Sequence, residues 1–81
     1  GVRINAIAPG NIFFKGSVWE KKIRKNKKAV INNLNSNVAL KKFGNPKNIS
    51  NICLFLASAK SDFVTGSVWI VDGGQVKKLD L

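Results

Sequence analysis

"RINAIAPGNI", residues 3–12, is an apolar run that stops at a proline and a glycine. In an extended chain alternate residues share a face, and one face of residues 2–8 carries Val2, Ile4, Ala6 and Ala8. Ile7 keeps the opposite face partly apolar, which is typical of a strand covered on both sides, as in parallel sheets. Pro9 cannot donate to a strand ladder, and Gly10 allows a sharp exit. The pattern therefore predicts a buried strand over residues 2–8.

The segment after this loop predicts an amphipathic helix. Ser17 and Glu20 have the spacing of a capping box, so we expect the helix to begin at Ser17. Lysines occupy most of its circumference, while one apolar stripe consists of Trp19, Ile23, Val30 and Leu34. The asparagine-rich stretch NNLNSN, residues 32–37, is expected to break the helix near Leu34.

A second helix is predicted from Pro46, with Asn45 as its cap. One of its faces carries Ile49, Ile52, Cys53 and Leu56. Leu54 and Phe55 extend the apolar surface most of the way around, so we expect this helix to be buried on more than one side. Within that surface Cys53 is expected to be an inert core thiol rather than a nucleophile.

SVWIV, residues 67–71, predicts a second strand that DGG ends, so the element order is strand, helix, helix, strand. No short hairpin joins the strands, and the simplest arrangement is a parallel pair linked by a right-handed crossover. This is one unit of an α/β doubly wound sheet. Two parallel strands make no stable sheet alone, and the chain enters its first apolar run without a linker. We therefore expect a fragment of a larger domain.

The net charge of +10, from 14 basic and 4 acidic residues, suggests an anionic partner. Seven of the basic residues lie in residues 15–28, and six of these are on the first predicted helix. Clustered lysines are typical of nucleic-acid binding, but only two of the 14 basic residues are arginines, which bind phosphate better. No nucleic-acid-binding motif accompanies them. We therefore favour a solvated helix face over a nucleic-acid interface.

Composition also bears on where the protein works. No apolar stretch approaches the roughly 18 residues of a membrane span, and the N-terminus lacks the pattern of a signal peptide. Cys53 is the single cysteine, which excludes an internal disulfide framework and fits a reducing compartment. We expect a cytoplasmic protein without a membrane partner.

The sequence lacks the residues that several kinds of catalysis and metal binding require. The chain has no histidine and no tyrosine, and its four acidic residues are scattered. No carboxylate pair suits acid-base catalysis, and no cluster has the spacing of metal ligands. The nearest match to a glycine-rich nucleotide loop, Gly73-Gly74, indicates a turn after a strand. The sequence thus predicts no catalytic residue and no metal site of its own.

Five short motifs occur in order along the chain: VRINAIAPGNI (2–12), LKKFGNPKNI (40–49), FLAS (55–58), FVTG (63–66) and VDGG (71–74). In this order and spacing they resemble the C-terminal third of the classical short-chain dehydrogenase/reductase family. The resemblance implies a Rossmann-type sheet, in which residues 1–81 form the C-terminal portion of one NAD(P)-binding domain. In that family the glycine-rich loop and the catalytic serine, tyrosine and lysine lie upstream of this segment, so none of them is assigned here.

The resemblance also implies a cofactor site. In the family, the loop after the proline-glycine pair runs beside the nicotinamide ring of NAD or NADP. Carried over to this chain, Pro9, Gly10 and Asn11 shape the cofactor wall, and the main chain of Ile12 binds the carboxamide. The location agrees with the rule that ligands lie at the carboxyl ends of parallel strands.

The stretch from Phe13 to about Val38 resembles the family's variable substrate lid. Phe13, Phe14 and Trp19 are candidates for lining an apolar pocket, with packing against the sheet as an equal alternative for each. Several positions depart from the family pattern, including Phe14 and Lys47-Asn48. Phe14 replaces a threonine that touches the cofactor, and Lys47-Asn48 replaces an acidic pair, which is expected to weaken the helix start by placing a positive charge there.

The resemblance implies an oxidoreductase that transfers hydride between a nicotinamide and a small carbonyl or alcohol substrate. It further implies a homo-oligomer, a tetramer or dimer, formed through residues 46–58 and 67–72. Two alternatives remain open: a non-catalytic interaction or oligomerisation remnant, and a small basic nucleic-acid binder.

Overall fold

The computed structural model describes residues 1–76, and the end of the predicted domain, residues 77–81, lies outside the described residues. The elements are strand β1 (Ala6–Pro9), helix α1 (Val18–Asn37), helix α2 (Pro46–Ala57), a 3-10 turn (Ala59–Ser61) and strand β2 (Val68–Val71). The two strands pair in parallel, with Ala6 opposite Val68 and Pro9 opposite Val71. The α/β class, the element order and the parallel crossover are therefore confirmed.

β1 begins at Ala6, later than the strand predicted over residues 2–8. Before Ala6, the side chain of Asn5 makes the hydrogen bonds that a strand backbone would make. The Asn5 amide donates to the Val64 carbonyl, and its oxygen accepts from the Ser67 N–H, both at 3.1 Å. A side chain that takes the place of the neighbouring backbone interrupts the regular spacing of strand hydrogen bonds.

Helix α1 begins as predicted and ends later than predicted. The Ser17 hydroxyl accepts from the Glu20 N–H at 3.3 Å and caps the helix. The helix continues to Asn37, so the prediction that the asparagine-rich stretch breaks it near Leu34 is wrong. Leu34 and Val38 are only 7% and 3% exposed, and the Val38 N–H donates to the Leu34 carbonyl at 3.0 Å. Burial of these two residues keeps the polar turn between them helical, overriding its low propensity.

A kink divides α1, and it was not predicted. Asn26 has φ −158° and ψ 84°, outside helical values, and its side-chain oxygen accepts from the Ala29 N–H at 3.1 Å. Asn26 therefore acts as a cap for a second helical segment within α1. An asparagine inside a lysine run gives no breaking signal comparable to that of proline or glycine.

The core lies beneath α1. Its buried members and the half-buried side chains packed on them are Val30, Leu34, Val38, Trp19, Ile23 and Phe43. This confirms the predicted apolar stripe of α1. Phe43 comes from the segment before α2, so the core fixes that segment against the helix.

Helix α2 starts with a reciprocal cap. The Asn45 side-chain oxygen accepts from the Asn48 N–H at 3.1 Å, and the Asn48 side-chain oxygen accepts from the Asn45 N–H at 2.8 Å. With Lys47-Asn48 in place of the family's acidic pair, the N–H groups of Asn45 and Asn48 therefore remain bonded.

α2 is much less buried than predicted. Ile52 and Leu56 are half-buried, whereas Leu54 is 69% exposed and Cys53 is also exposed. The predictions of burial on more than one side and of a core thiol at Cys53 are wrong for the described residues. The reason is that α2 is contacted mainly by β1 and the 3-10 turn, which cover one side of it.

The sheet is likewise covered on one face only. The half-buried side chains on the α2 side of the first segment are Arg3, Asn5 and Ile7, and the exposed side chains of the other face are Val2, Ile4, Val68 and Ile70. The prediction that this strand is covered on both sides is therefore wrong for the described residues. No helix within residues 1–76 is both long and apolar enough to span a bilayer.

Arg3 ties the approach to β1 to the C-terminal end of α2. Its guanidinium donates, at 2.9–3.3 Å, to the carbonyls of Leu56, Ser58, Ser61 and Val64. The last carbonyls of a helix have no partner within the helix, and the guanidinium supplies donors to them from a distant part of the sequence. One side chain thus joins three successive segments to the edge of the sheet.

Candidate functional site

Both strands end at the same edge of the sheet. β1 ends at Pro9 and β2 at Val71, and the Gly10 N–H donates to the Val71 carbonyl at 2.9 Å. In open α/β sheets, ligands bind outside the carboxyl ends of the strands. The loop of residues 9–12, which contains the predicted cofactor-wall residues, lies at this edge.

Gly10 allows the two strand ends to approach closely. A Cβ atom added at Gly10 would lie 2.6 Å from the Cβ of Asp72 and 2.7 Å from its Cα. No side chain fits between these backbones, so a glycine at position 10 is what allows the two strand ends to meet.

We expect Gly10→Ala to lower the free energy of unfolding of the complete protein by about 1–3 kcal/mol, because overpacking separates the two strand ends. Gly44→Ala is the matched comparison, since its added Cβ would approach to 2.7 Å only the Cδ1 atom of Ile12, the far end of a side chain. Its loss should be smaller, and urea unfolding of the two variants measures both. Equal losses would contradict the close-approach explanation.

Asp72 is a fixed anion at this edge. Its carboxylate accepts from the N–H groups of Val76 and Gly74, each at 2.9 Å. These bonds, that from Val76 above all, hold the pKa of Asp72 below its ordinary value of 3.8, while burial acts in the opposite direction. The carboxylate is therefore ionised at neutral pH. From the sequence, DGG indicated only a turn, and this contribution to the site was not foreseen.

Ile12 forms an isolated parallel bridge with Gly44. The Gly44 N–H donates to the Asn11 carbonyl at 3.0 Å, and the Phe13 N–H donates to the Gly44 carbonyl at 2.9 Å. In such a bridge the residue between the bonded neighbours directs its own N–H and C=O to the opposite side. Within residues 1–76, neither of these two Ile12 groups has a hydrogen-bond partner, although the residue is half-buried. The loop therefore presents one donor and one acceptor side by side.

Two hollows flank the loop. One, of about 320 Å³, is bordered by Asn11, Ile12 and Asp72 among others. The other, of about 390 Å³, is bordered by Pro9, Gly10, Asn11 and Asp72 among others. Asn11 and Asp72 thus separate two concavities at the carboxyl edge, each large enough for part of a ligand.

Phe43 is the centre of an aromatic cluster. Its ring centroid lies 5.8 Å from that of Phe13 and 5.3 Å from that of Trp19. Two of the three predicted lid residues therefore pack on Phe43, whereas Phe14 is 51% exposed and stands outside the cluster. Phe43 was not singled out from the sequence, although its place in the motif LKKFG was a usable signal.

The groups that the loop offers to a ligand at this edge are backbone N–H and C=O groups. Among the described residues no cluster of three side chains is able to hold a metal ion. What the edge offers is an adjacent donor and acceptor beside two hollows, an arrangement whose hydrogen-bonding groups complement those of a planar amide. The fold and this edge define a protein of the Rossmann-type α/β class.

Comparison with known proteins gives the family. A family model described as enoyl-(acyl carrier protein) reductase matches residues 1–75. The short-chain dehydrogenase/reductase bsc3 of Alternaria brassicicola is 34% identical over 79 residues, which cover 98% of this chain and 28% of that protein. The chain belongs to the short-chain dehydrogenase/reductase family.

Solved structures agree in fold. 4-Hydroxyisoleucine dehydrogenase complexed with NADH superimposes with a TM-score of 0.79 at 31% identity, covering 96% of this chain and 30% of that one. L-Sorbose reductase from Gluconobacter frateurii complexed with NADPH and L-sorbose gives 0.78 at 28% identity, covering 95% and 32%. The chain spans 27–30% of the length of the curated relatives it matches.

Proposed function

We propose that this chain is part of an NAD(P)-dependent oxidoreductase that transfers hydride between a nicotinamide and a carbonyl or alcohol substrate. The observation that carries the proposal is the N–H and C=O of Ile12, which lack partners within residues 1–76 at the carboxyl edge of the sheet. The family to which the chain belongs supports the same activity.

The residues at this edge fit a nicotinamide. Its carboxamide has an oxygen that accepts and an NH2 group that donates, and Ile12 offers one backbone group for each. When bound, the nicotinamide supplies the hydride chemistry, and this chain's part is to orient the ring. Recognition through the backbone is independent of side-chain identity at Ile12.

The neighbouring residues shape the wall around that contact. Gly10 keeps the loop close to Asp72, and Pro9 and Asn11 border the second hollow. Either NAD or NADP fits this role, since both carry the same nicotinamide. Catalytic groups are supplied by the upstream part of the complete enzyme, where the family has its serine, tyrosine and lysine.

The segment of residues 13–38 serves as the substrate lid. Phe14 is exposed and available to a substrate, and the packing of Phe13 and Trp19 on Phe43 holds the lid in place. The substrate is a small carbonyl or alcohol. The single cysteine favours a reducing compartment, and we place the complete enzyme in the cytoplasm.

The complete enzyme is a homo-oligomer, a tetramer or dimer, that assembles through residues 46–58 and 67–72. Exposed apolar side chains in these ranges support this assignment: Leu54, Phe55, Val68 and Ile70. An apolar surface of this kind is typical of a face that becomes covered on association.

We expect the 81-residue chain, expressed alone, not to behave as a compact folded monomer. Its exposed helix and sheet faces drive association, and its buried core consists of only Val30, Leu34 and Val38 within the described residues. Sedimentation velocity together with thermal unfolding measures this. A compact monomer with a sharp cooperative transition would contradict the expectation.

The activity is tested on the complete protein. If the gene encodes a glycine-rich loop and a Tyr-x-x-x-Lys sequence upstream, that protein should bind NADH or NADPH and oxidise it in the presence of a suitable carbonyl compound. A folded complete protein without nicotinamide binding would favour the non-catalytic remnant. Salt-sensitive binding to DNA or RNA without nicotinamide binding would favour the nucleic-acid binder.

A further inference from the structure

A groove of about 330 Å³ runs along α1 on both sides of its kink. Its apolar lining comes from Trp19, Ala29 and Val30, and Lys22 and Lys25 also line it. The groove thus combines an aromatic and aliphatic surface with two cationic groups.

The position of one of these cations, the ammonium group of Lys22, is fixed by a contact with an aromatic ring. The ammonium group of Lys22 lies 4.5 Å from the centre of the Trp19 ring, a cation–π contact. Lys25 immediately precedes the kink at Asn26, where the backbone leaves helical values. The two lysines therefore stand on the first helical segment, facing an apolar surface that is shared with the second.

The charge around the groove is unbalanced. Residues 15–28 contain seven basic residues and one acidic residue, Glu20. Glu20 is already engaged by Arg24, at 3.3 Å. Within residues 1–76, Lys22 and Lys25 have no carboxylate partner. An anion entering the groove would meet two cations without displacing an existing ion pair.

The groove is linked to the proposed nicotinamide loop by aromatic contacts. Trp19 in the groove packs on Phe43, and Phe43 packs on Phe13, which directly follows Ile12. The wall of the groove and the loop that presents the N–H and C=O of Ile12 are thus joined through three rings in series.

We propose that this groove binds the anionic end of the substrate, so that the complete enzyme acts on carbonyl compounds bearing a carboxylate or phosphate group. The inference rests on the proposed function for its substrate role. The apolar wall receives the carbon skeleton, and Lys22 and Lys25 pair with the charge. The competing explanation is that both lysines are merely solvated, as most surface lysines are.

The test measures binding to the complete protein by calorimetry, with three aromatic ketones that share one skeleton. They are para-acetylbenzoate, para-acetylphenyl phosphate and the uncharged methyl para-acetylbenzoate. We expect at least one of the two anions to bind about tenfold more tightly than the ester, since bonds to charged groups are the stronger ones. Which anion binds more tightly identifies the acid group.

Two double variants distinguish binding in the groove from attraction by the overall positive charge of the protein. Lys22→Gln with Lys25→Gln should abolish the preference for the anion, whereas Lys21→Gln with Lys28→Gln removes the same charge from outside the groove lining and should preserve it. Equal effects of the two pairs, or an ester that binds as tightly as both anions, would overturn the inference.

Hydride transfer is measured separately, from the absorbance of the reduced nicotinamide with the same ketones and with an uncharged ketone panel. Transfer without any preference for anions would overturn the inference and leave the proposed function intact. Charge-selective binding that depends on Lys22 and Lys25, without transfer to any carbonyl compound, would overturn the proposed function and support the anion site.

Discussion

Ile12→Pro is expected to weaken binding of the nicotinamide cofactor to the complete enzyme by about a hundredfold. Proline removes the N–H of residue 12 and fixes its φ angle, so both the donor and the direction of the adjacent carbonyl are altered. Each unpaired polar group in a desolvated site costs about 1–3 kcal/mol, and two such groups together correspond to about two orders of magnitude in affinity. Titration of NADH or NADPH, followed by fluorescence, measures the loss.

Ile12→Val is the control for the side chain. It preserves the N–H and C=O and shortens the side chain by one methylene, for an expected loss of about 0.5–1.5 kcal/mol in unfolding free energy if the site is buried. Cofactor affinity should therefore remain near that of the parent enzyme. A folded proline variant with normal affinity for both cofactors would show that the carboxamide is bound elsewhere.

Arg3→Met is expected to destabilise the complete enzyme by about 2–4 kcal/mol. The long apolar side chain of methionine retains most of the packing but none of the donors, so the carbonyls of Leu56, Ser61 and Val64 lose their charged partner. The C-terminal end of α2, the 3-10 turn and the start of the first strand then lose the one side chain that bonds all three. Urea unfolding measures the change, with the slope against denaturant monitored for altered compactness.

Two variants serve as references for Arg3. Arg3→Lys keeps the charge but not the planar fork, and it should recover only part of the loss, because one ammonium group cannot bond all the carbonyls in the same geometry. Arg24→Met breaks the exposed ion pair with Glu20, where the Arg24 side chain is 77% exposed, and should cost less than about 1 kcal/mol. Comparable losses for Arg3→Met and Arg24→Met would contradict the role assigned to Arg3.

Local signals predicted the elements well. Ser17 and Asn45 each mark a helix start by a cap whose partner lies three residues away, and the sequence contains both members of the pair. Features that depend on distant residues were not predictable in this way. The first strand begins at Ala6 because Asn5 bonds residues near position 65, and α1 extends to Asn37 because Val38 is buried in the core.

The residues of the candidate site also divide into those indicated by a local stretch of sequence and those placed there by distant segments. Pro9, Gly10 and Asn11 were predicted from the end of an apolar run and from a family resemblance, and one short stretch of sequence contains them. Asp72 and Phe43 were not found, since their parts in the site arise only when segments some 30 to 60 residues from the loop come to rest beside it. Cys53 was predicted to be buried and is exposed. The sequence pattern indicates which face of a helix is apolar, but not whether another element covers that face.

The reciprocal cap at the start of α2 is expected to be insensitive to pH and to salt concentration. Neither Asn45 nor Asn48 titrates, so the hydrogen bonds between them are neither lost in acid nor screened by salt, as those of an acidic cap would be. Asn48 also borders the same hollow as Ile12. In a chain with a net charge of +10, the hydrogen bonds of this cap are therefore kept whatever ions surround it.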